Sequence, residues 1–297
     1  MNTIRSAMPD PRLRQFVRCF AQREISGRNS WVVQTSIASL EHTLAFCFGD
    51  QPVMQYSSGN RALIPRIHVV GTQTRSPGCA RFTGSTVAFG IFLSPFACWR
   101  LFRIPSIEFT DRDFEGEQVF GPWITNLWLK LAECKTFGDR INVANGALLP
   151  FAANASPPTM NMVAAGSLLR PGHSTRIPQL ARESYMSTRN FQRKFAEDTG
   201  ISPKLFARLG RFQLALDMKR TRGNDWAKVA HELGYFDQMH MVKDFRAFGG
   251  DSPSRLIQIC GDFQPWSIGT PMSLNRVMTT EMPSSFPDFP NLPSSST

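Results

Sequence analysis

Between Trp31 and Leu93 the hydrophobic positions come in short runs, each closed by turn residues. Leu44 to Phe48 stops at Gly49-Asp50, His68 to Val70 at Gly71, and Val87 to Leu93 at Ser94-Pro95. Runs of that length and punctuation predict several short strands in a small β-rich domain. Ser94 and Pro95 supply an N-cap and a first-turn proline, so Phe96 to Arg103 is expected to form a short helix. Farther on, Trp123, Leu127, Leu131 and Cys134 recur at helical spacing and predict one longer helix from Glu117 to Cys134. From Pro150 to Pro158 this periodicity gives way to Ala, Asn, Ser and Pro, the composition of a linker.

Beyond that stretch a pattern occurs twice. Phe195, Gly200, Ser202 and Pro203 return as Phe245, Gly250, Ser252 and Pro253, each 50 positions on, and Ser187 returns as Asp237. Each set has one local meaning. A Ser or Asp N-cap opens a helix, a buried Phe lies near its end, Gly takes the left-handed position after it, and Ser-Pro opens the next. Ahead of each N-cap lies a short helical segment, Ile177 to Glu183 with Ala181 and Ala227 to Leu233 with Ala230. Short helix, tight turn and second helix make a helix-turn-helix, here in tandem. Leu205, Leu209, Phe212 and Leu216 follow a 4, 3, 4 spacing and mark one face of a helix joining the two units.

At 100° per residue the second helix of each unit divides into two faces. Phe191 and Phe195 fall inside and Arg189, Gln192 and Arg193 nearly opposite; in the second unit Met241 and Phe245 fall inside, with Met239, Val242 and Lys243 outside, flanked by Gln238 and His240. For one helix alone the outer residues would be read as a solvated face. In tandem units they have the chemistry of groove readers, since Arg pairs bidentately with guanine and Gln with adenine. Lys243 suits a phosphate as well as a base. Reading a base, neutralising a phosphate and sitting at the rim all stay open for His240.

Charge supports a polyanionic partner. The chain has 33 Lys and Arg against 23 Asp and Glu, a net charge of +10. Residues 176–256 hold 15 basic and 9 acidic residues, while residues 1–175, twice as long, hold 17 and 11, so positive charge is denser over the repeat. The first 20 residues carry no apolar stretch of signal-peptide length, and Val87 to Phe102 is too short and too interrupted to span a bilayer, so a cytoplasmic protein without a membrane partner is expected. Six scattered cysteines, Cys19, Cys47, Cys79, Cys98, Cys134 and Cys260, form no C-x-x-C pair and are read as buried thiols rather than a zinc module, a disulfide framework or a redox sensor.

Several stretches carry a family likeness: Leu180-Ala181-Arg182-Glu183, Ser187 through Phe195, Gly200 through Lys204, Arg211 through Ala215, Gly234 through Gln238 and His240 through Phe245. In this order and separation, over about a third of the chain, they resemble the DNA-binding domain of AraC/XylS-type transcription regulators. The resemblance implies double-stranded DNA as partner, with two recognition helices entering successive major-groove segments about 34 Å apart. It also implies activator or repressor action at the bacterial nucleoid, with RNA polymerase and a second copy of the chain as protein partners. Gly is usual in the first turn of the family, where this chain has Tyr185. That turn should therefore either change conformation or carry strain. Met239 and Val242 offer no hydrogen bonds, which suits thymine methyls or affinity rather than base reading.

In the N-terminal half, Pro9 to Phe20, Val70-Gly71-Thr72-Gln73 and Gly90 to Pro95 resemble poorly characterised sensor-like domains of such regulators. The likeness implies a cupin-like barrel that binds a small-molecule effector or mediates dimerisation. The His-x-His with a following Glu of metal cupins is absent, since His42 and His68 stand alone, so no metal and no cofactor are expected. Asp111, Asp113, Glu115 and Glu117 cluster near one turn and are read as solvation or helix N-terminal charge. No catalytic residue is assigned.

The expected fold class is α+β, with a β-rich, cupin-like domain carrying helices at residues 1–150 and a linker at 151–158. An all-α double helix-turn-helix domain follows at 159–257, and a disordered Pro- and Ser-rich tail at 258–297. In the tail Phe263, Trp266, Phe286 and Phe289 are read as solvated rather than as a docking segment. Two other functions stand beside the regulator: a non-specific architectural DNA binder, and a cupin-like enzyme with an accessory DNA-binding domain.

Overall fold

A computed structural model describes residues 2–26, 31–170, 176–223 and 225–261, and in it the strands precede nearly all the helices. The strands are β1 (Asn2–Ala7), β2 (Val17–Ile25), β3 (Trp31–Ser36), β4 (His42–Gly49), β5 (Val53–Tyr56), β6 (Arg61–Leu63), β7 (Ile67–Val70), β8 (Gly78–Thr83), β9 (Thr86–Leu93) and β10 (Asp113–Glu115). They pair antiparallel into two sheets, β1-β2-β9-β4-β7-β10 and β3-β8-β5-β6. The three apolar runs singled out in the sequence lie in β4, β7 and β9, at the middle of the larger sheet. Leu44, Phe46, Val69, Phe89 and Ile91 form its buried inner row.

That row is covered by helices. The single helix expected from Glu117 to Cys134 is two, α1 (Gly116–Phe120) and α2 (Pro122–Glu133). Gly121 breaks it at φ +61, a conformation open to Gly, and Pro122 starts α2 at a position where its missing N–H costs nothing. The helix expected at Phe96 to Arg103 shrinks to a π-helical turn at Cys98–Phe102, ended by Arg103 in the left-handed region. Next comes α3 (Phe137–Ala153), opened by a reciprocal cap in which Thr136 and Asp139 satisfy each other's backbone N–H. Leu127 and Leu131 of α2 and Ala144 and Leu148 of α3 seal the core. Helix α3 runs to Ala153, into the stretch read as linker, and Arg100 ties down Ser156 through both backbone groups of that serine.

The C-terminal helices are α4 (Met160–Leu168), α5 (Ile177–Glu183), α6 (Thr188–Thr199), α7 (Pro203–Arg222), α8 (Trp226–Glu232), α9 (Gln238–Gly249) and α10 (Pro253–Gly261). Helix α7 is the shared axis. Its Phe206 meets Phe195 of α6 at 5.3 Å and its Phe212 meets Phe245 of α9 at 5.0 Å, both edge to face. Each of these fully buried rings contributes about 1.5–3 kcal/mol. One apolar cluster runs through both units and takes in Ile37, Ala38, Leu40 and Phe96 of the N-terminal part. The chain is thus an α+β fold in which a β-rich part precedes an all-helical one, and the two share a core. Among the described residues no helix is long and apolar enough to cross a membrane. The tail read as disordered begins within α10, and residues 262–297, with their four aromatics, lie outside the described residues.

Candidate nucleic-acid interface

Helices α6 and α9 are built alike. The Ser187 hydroxyl accepts from Asn190 N at 3.3 Å and the Asp237 carboxylate from His240 N at 2.6 Å, so each first turn is capped. Gly200 (φ +85) and Gly250 (φ +83) end the two helices in the left-handed position. Phe191, Phe195, Met241 and Phe245 are wholly buried. Arg189, Gln192 and Arg193 are exposed on the outer face of α6, and Gln238, Met239 and Lys243 on that of α9. Val242 is half-buried, and so is His240, whose ring lies edge-on to Tyr235 at 5.6 Å.

Arg193 already has partners. Its guanidinium meets Glu197 Oε1 at 2.5 Å and Asn190 Oδ1 at 3.0 Å on the same helix. Both members of the ion pair are largely exposed, and such a pair contributes only about 0.3–0.5 kcal/mol, so Arg193 can turn to another acceptor at little cost. The inner polar contacts are of another kind. Arg208 on α7 donates twice to Asp244 Oδ1, at 2.6 and 3.2 Å, and Asp244 is wholly buried. Arg211 donates to the Gly234 carbonyl at 3.3 Å and stacks on Tyr235, which fixes the second turn against α7.

The two turns differ by one residue. Met186 N donates to Ala181 O and Tyr235 N to Ala230 O, both at 2.9 Å, and the left-handed residue inside each loop is Tyr185 (φ +54) or Gly234 (φ +69). Tyr185 therefore keeps the conformation that Gly would take, at a cost of roughly 1–2 kcal/mol. From there one residue, Met186, leads to the N-cap Ser187, but two, Tyr235 and Phe236, lead to Asp237. Phe236, the added residue, is 93% exposed and Tyr185 is 96% exposed. Two large aromatic side chains thus stand at the entrances of the two outer helices.

The other ends of these helices meet the N-terminal part. A helix leaves its last carbonyls without internal partners. Here Thr72 Oγ1 donates to Thr199 O at 3.2 Å, Thr110 Oγ1 to Gly200 O at 2.7 Å, and Ala38 N to Phe248 O at 2.9 Å. Phe96 packs edge-on against Phe195 at 6.4 Å. A Cβ at Gly200 would lie 2.4 Å from Thr110 Oγ1, so only Gly permits this approach. Sequence reasoning assigned none of these contacts, although Thr72 lies in one of the stretches that carry the N-terminal likeness.

The remaining candidates lie away from the outer faces of α6 and α9. His42 is wholly buried beside Phe109, and burial lowers its pKa to about 4, with the Ser94 backbone acting in the opposite sense. His68 Nε2 lies 3.0 Å from Asp113, a hydrogen bond that holds this carboxyl below its usual value. Asp111 caps Thr74 through both its backbone N–H and its hydroxyl, and Glu117 lies in the first turn of α1. Cys19, Cys47 and Cys98 are buried, and burial raises their thiols to about 11, 11 and 12, the reverse of what a thiolate sensor needs. The Cys260 side chain lies outside the described residues.

Residues 180–258 match a family described as a helix-turn-helix domain, and residues 5–115 match a domain of unknown function (DUF6597). An uncharacterized HTH-type transcriptional regulator of Haemophilus influenzae is 31% identical over 96 residues, 32% of this chain and 32% of its own length. The chain thus spans about a third of that relative. Among solved structures, ToxT from Vibrio cholerae O395 aligns with 81% of this chain and 97% of its own, at 9% identity and a TM-score of 0.44. A DNA-binding transcriptional dual regulator from Escherichia coli K-12 aligns with 34% of this chain and 98% of its own, at 22% identity and a TM-score of 0.30. The two capped, outward-facing helices on one shared axis lie within residues 180–258, the stretch that is similar to the helix-turn-helix family.

Proposed function

We propose that the protein is a sequence-specific, DNA-binding transcription regulator that sets α6 and α9 into adjacent major-groove segments of one duplex. The observation that carries this is the pair of outward faces, each on a helix packed against the shared α7. Arg189, Gln192, Arg193 and Gln238 read base edges, Met239 meets a thymine methyl, and Lys243 and His240 serve phosphates. The reading unit is residues 159–257, because α4 packs into the same core as α6 and α7. Residues 1–150 serve a small-molecule effector or self-association, with RNA polymerase as the further partner, and the site of action is the bacterial cytoplasm, where the chromosome lies.

Selection from random duplexes tests the reading. An enriched site is expected, and Arg193→Ala should relax one base position by about 1–3 kcal/mol. Lys243→Ala should instead weaken all sequences alike and lower the salt slope by about 1. Equal binding to every duplex, with a steep salt dependence, would mean a non-specific architectural protein.

A further inference from the structure

A cavity of about 170 Å³ lies between the two sheets, with β3, β5 and β8 on one side and β4, β7 and β9 on the other. A dry cavity of about 150 Å³ holds a benzene ring, which sets the scale of an occupant. Met54 and Phe92 give it apolar wall, and among the described residues no lysine or arginine lines it. Its polar lining combines the Glu41 and Asp113 carboxylates and the Gln34 amide with His68 and several hydroxyls. Gln34 is 9% exposed and its Oε1 has no hydrogen-bond partner. Glu41 is buried and ion-paired with Arg18, which lies behind Phe92. Asp113 stands at the mouth, 41% exposed, its Oδ2 hydrogen-bonded to His68 Nε2 at 3.0 Å and to the Tyr56 hydroxyl at 3.3 Å, which leaves Oδ1 for a ligand. A buried acceptor left unpaired costs about 1–3 kcal/mol, and a ligand that donates to Gln34 removes that cost. A carboxylate ligand would face Glu41 and Asp113, with His68, already bonded to Asp113, as the one basic side chain among the described lining residues.

The cavity wall is also the back of the clasp on the outer helices. Ser39 and Gln73 form an antiparallel bridge, each N–H donating to the other's carbonyl at 2.9 Å, and both line the cavity. Their chain neighbours face the other way, as successive residues of extended backbone do. Ala38 donates to Phe248 O, Thr72 to Thr199 O, and Leu40 packs near Gly210 of α7. One layer of backbone therefore separates the cavity from the ends of both α6 and α9.

We propose that this cavity binds a compact amine, a cationic head on an apolar body of about one ring, and that its occupancy is transmitted through the Ser39–Gln73 bridge to the two outer helices. The second half of the proposal rests on the DNA-binding reading; the first does not.

Calorimetric titration of the full chain with 2-phenylethylamine, 2-phenylethanol and phenylacetate tests it, with duplex affinity measured with and without the amine. One amine per chain is expected, at least tenfold tighter than the alcohol, with no phenylacetate binding. Gln34→Leu should weaken the amine about tenfold, and Asp113→Asn, the isosteric change at the exposed mouth, should weaken it severalfold, with the urea midpoint of each variant checking that it folds. The amine should also change the Kd for a selected duplex at least threefold. No saturable amine binding, equal binding of phenylacetate, or wild-type affinity in both variants overturns the ligand assignment. Amine binding with unchanged duplex affinity overturns the transmission. A chain that binds the amine but selects no duplex upholds the cavity and contradicts the DNA reading, so the two failures are distinguishable.

Discussion

The two helix-turn-helix units share their caps, buried rings and terminal glycines but differ in what holds them and what they display. The first is held from outside its unit: Thr72, Thr110 and Phe96 grip the end of α6, and Asn161 on α4 donates to Asp198 at 2.7 Å. The second is held mainly from α7, through Arg208 and Arg211, with one backbone hydrogen bond from Ala38 reaching across. The first presents two arginines and a glutamine, the second a glutamine, a methionine and a lysine beside a half-buried valine and histidine. The repeat therefore keeps the geometry of the helix pair and leaves its anchorage and surface chemistry free. Here the helix with two outer arginines is fixed to the N-terminal part, and the one with an outer methionine mainly to the axis.

The sharpest way to break this contrast is Arg208→Ala, which leaves the buried Asp244 carboxylate without its cation. A loss of about 3–5 kcal/mol is expected in urea unfolding, whereas Arg193→Ala, which removes only an exposed pair, should change stability by less than about 0.5 kcal/mol. Next come the paired glycines. Gly250→Ala meets only left-handed strain, its nearest neighbour being 3.7 Å away, and should cost about 1 kcal/mol. Gly200→Ala adds the collision with Thr110 and should cost about 3 kcal/mol. Equal costs would mean that the clasp on α6 is not tight. Smallest is Tyr185→Gly, which removes the left-handed penalty at an exposed site and should raise stability by up to about 1 kcal/mol, visible as a rise in thermal midpoint.

The helical half was legible because its signals are local: a cap, a Gly and a Ser-Pro in fixed order, with two Phe on one face. The added residue in the second turn was hidden because the 50-residue offset holds from the N-caps onward, while Ala181 and Ala230 stand 49 apart. In the N-terminal half the central strands β4, β7 and β9 stood out as apolar runs. Strands β1 and β2 did not, since Asn2–Ala7 is largely polar and β2 carries Arg18, Gln22 and Arg23 inward among its apolar residues. Helix α3 escaped because it buries only Arg140, Ala144 and Leu148, too sparse a stripe to show a period. The clasp was not readable at all. Backbone carbonyls and threonine hydroxyls make it, and what they meet depends on how the two parts dock.

Hydroxyl-radical footprinting of the full chain on a selected duplex tests most directly whether both heads read one DNA molecule. Two protected segments on one face, centred about one helical turn or roughly 34 Å apart, are expected, with the second lost or weakened in Lys243→Ala. A single protected segment, unchanged by substitutions in α9, would contradict the account.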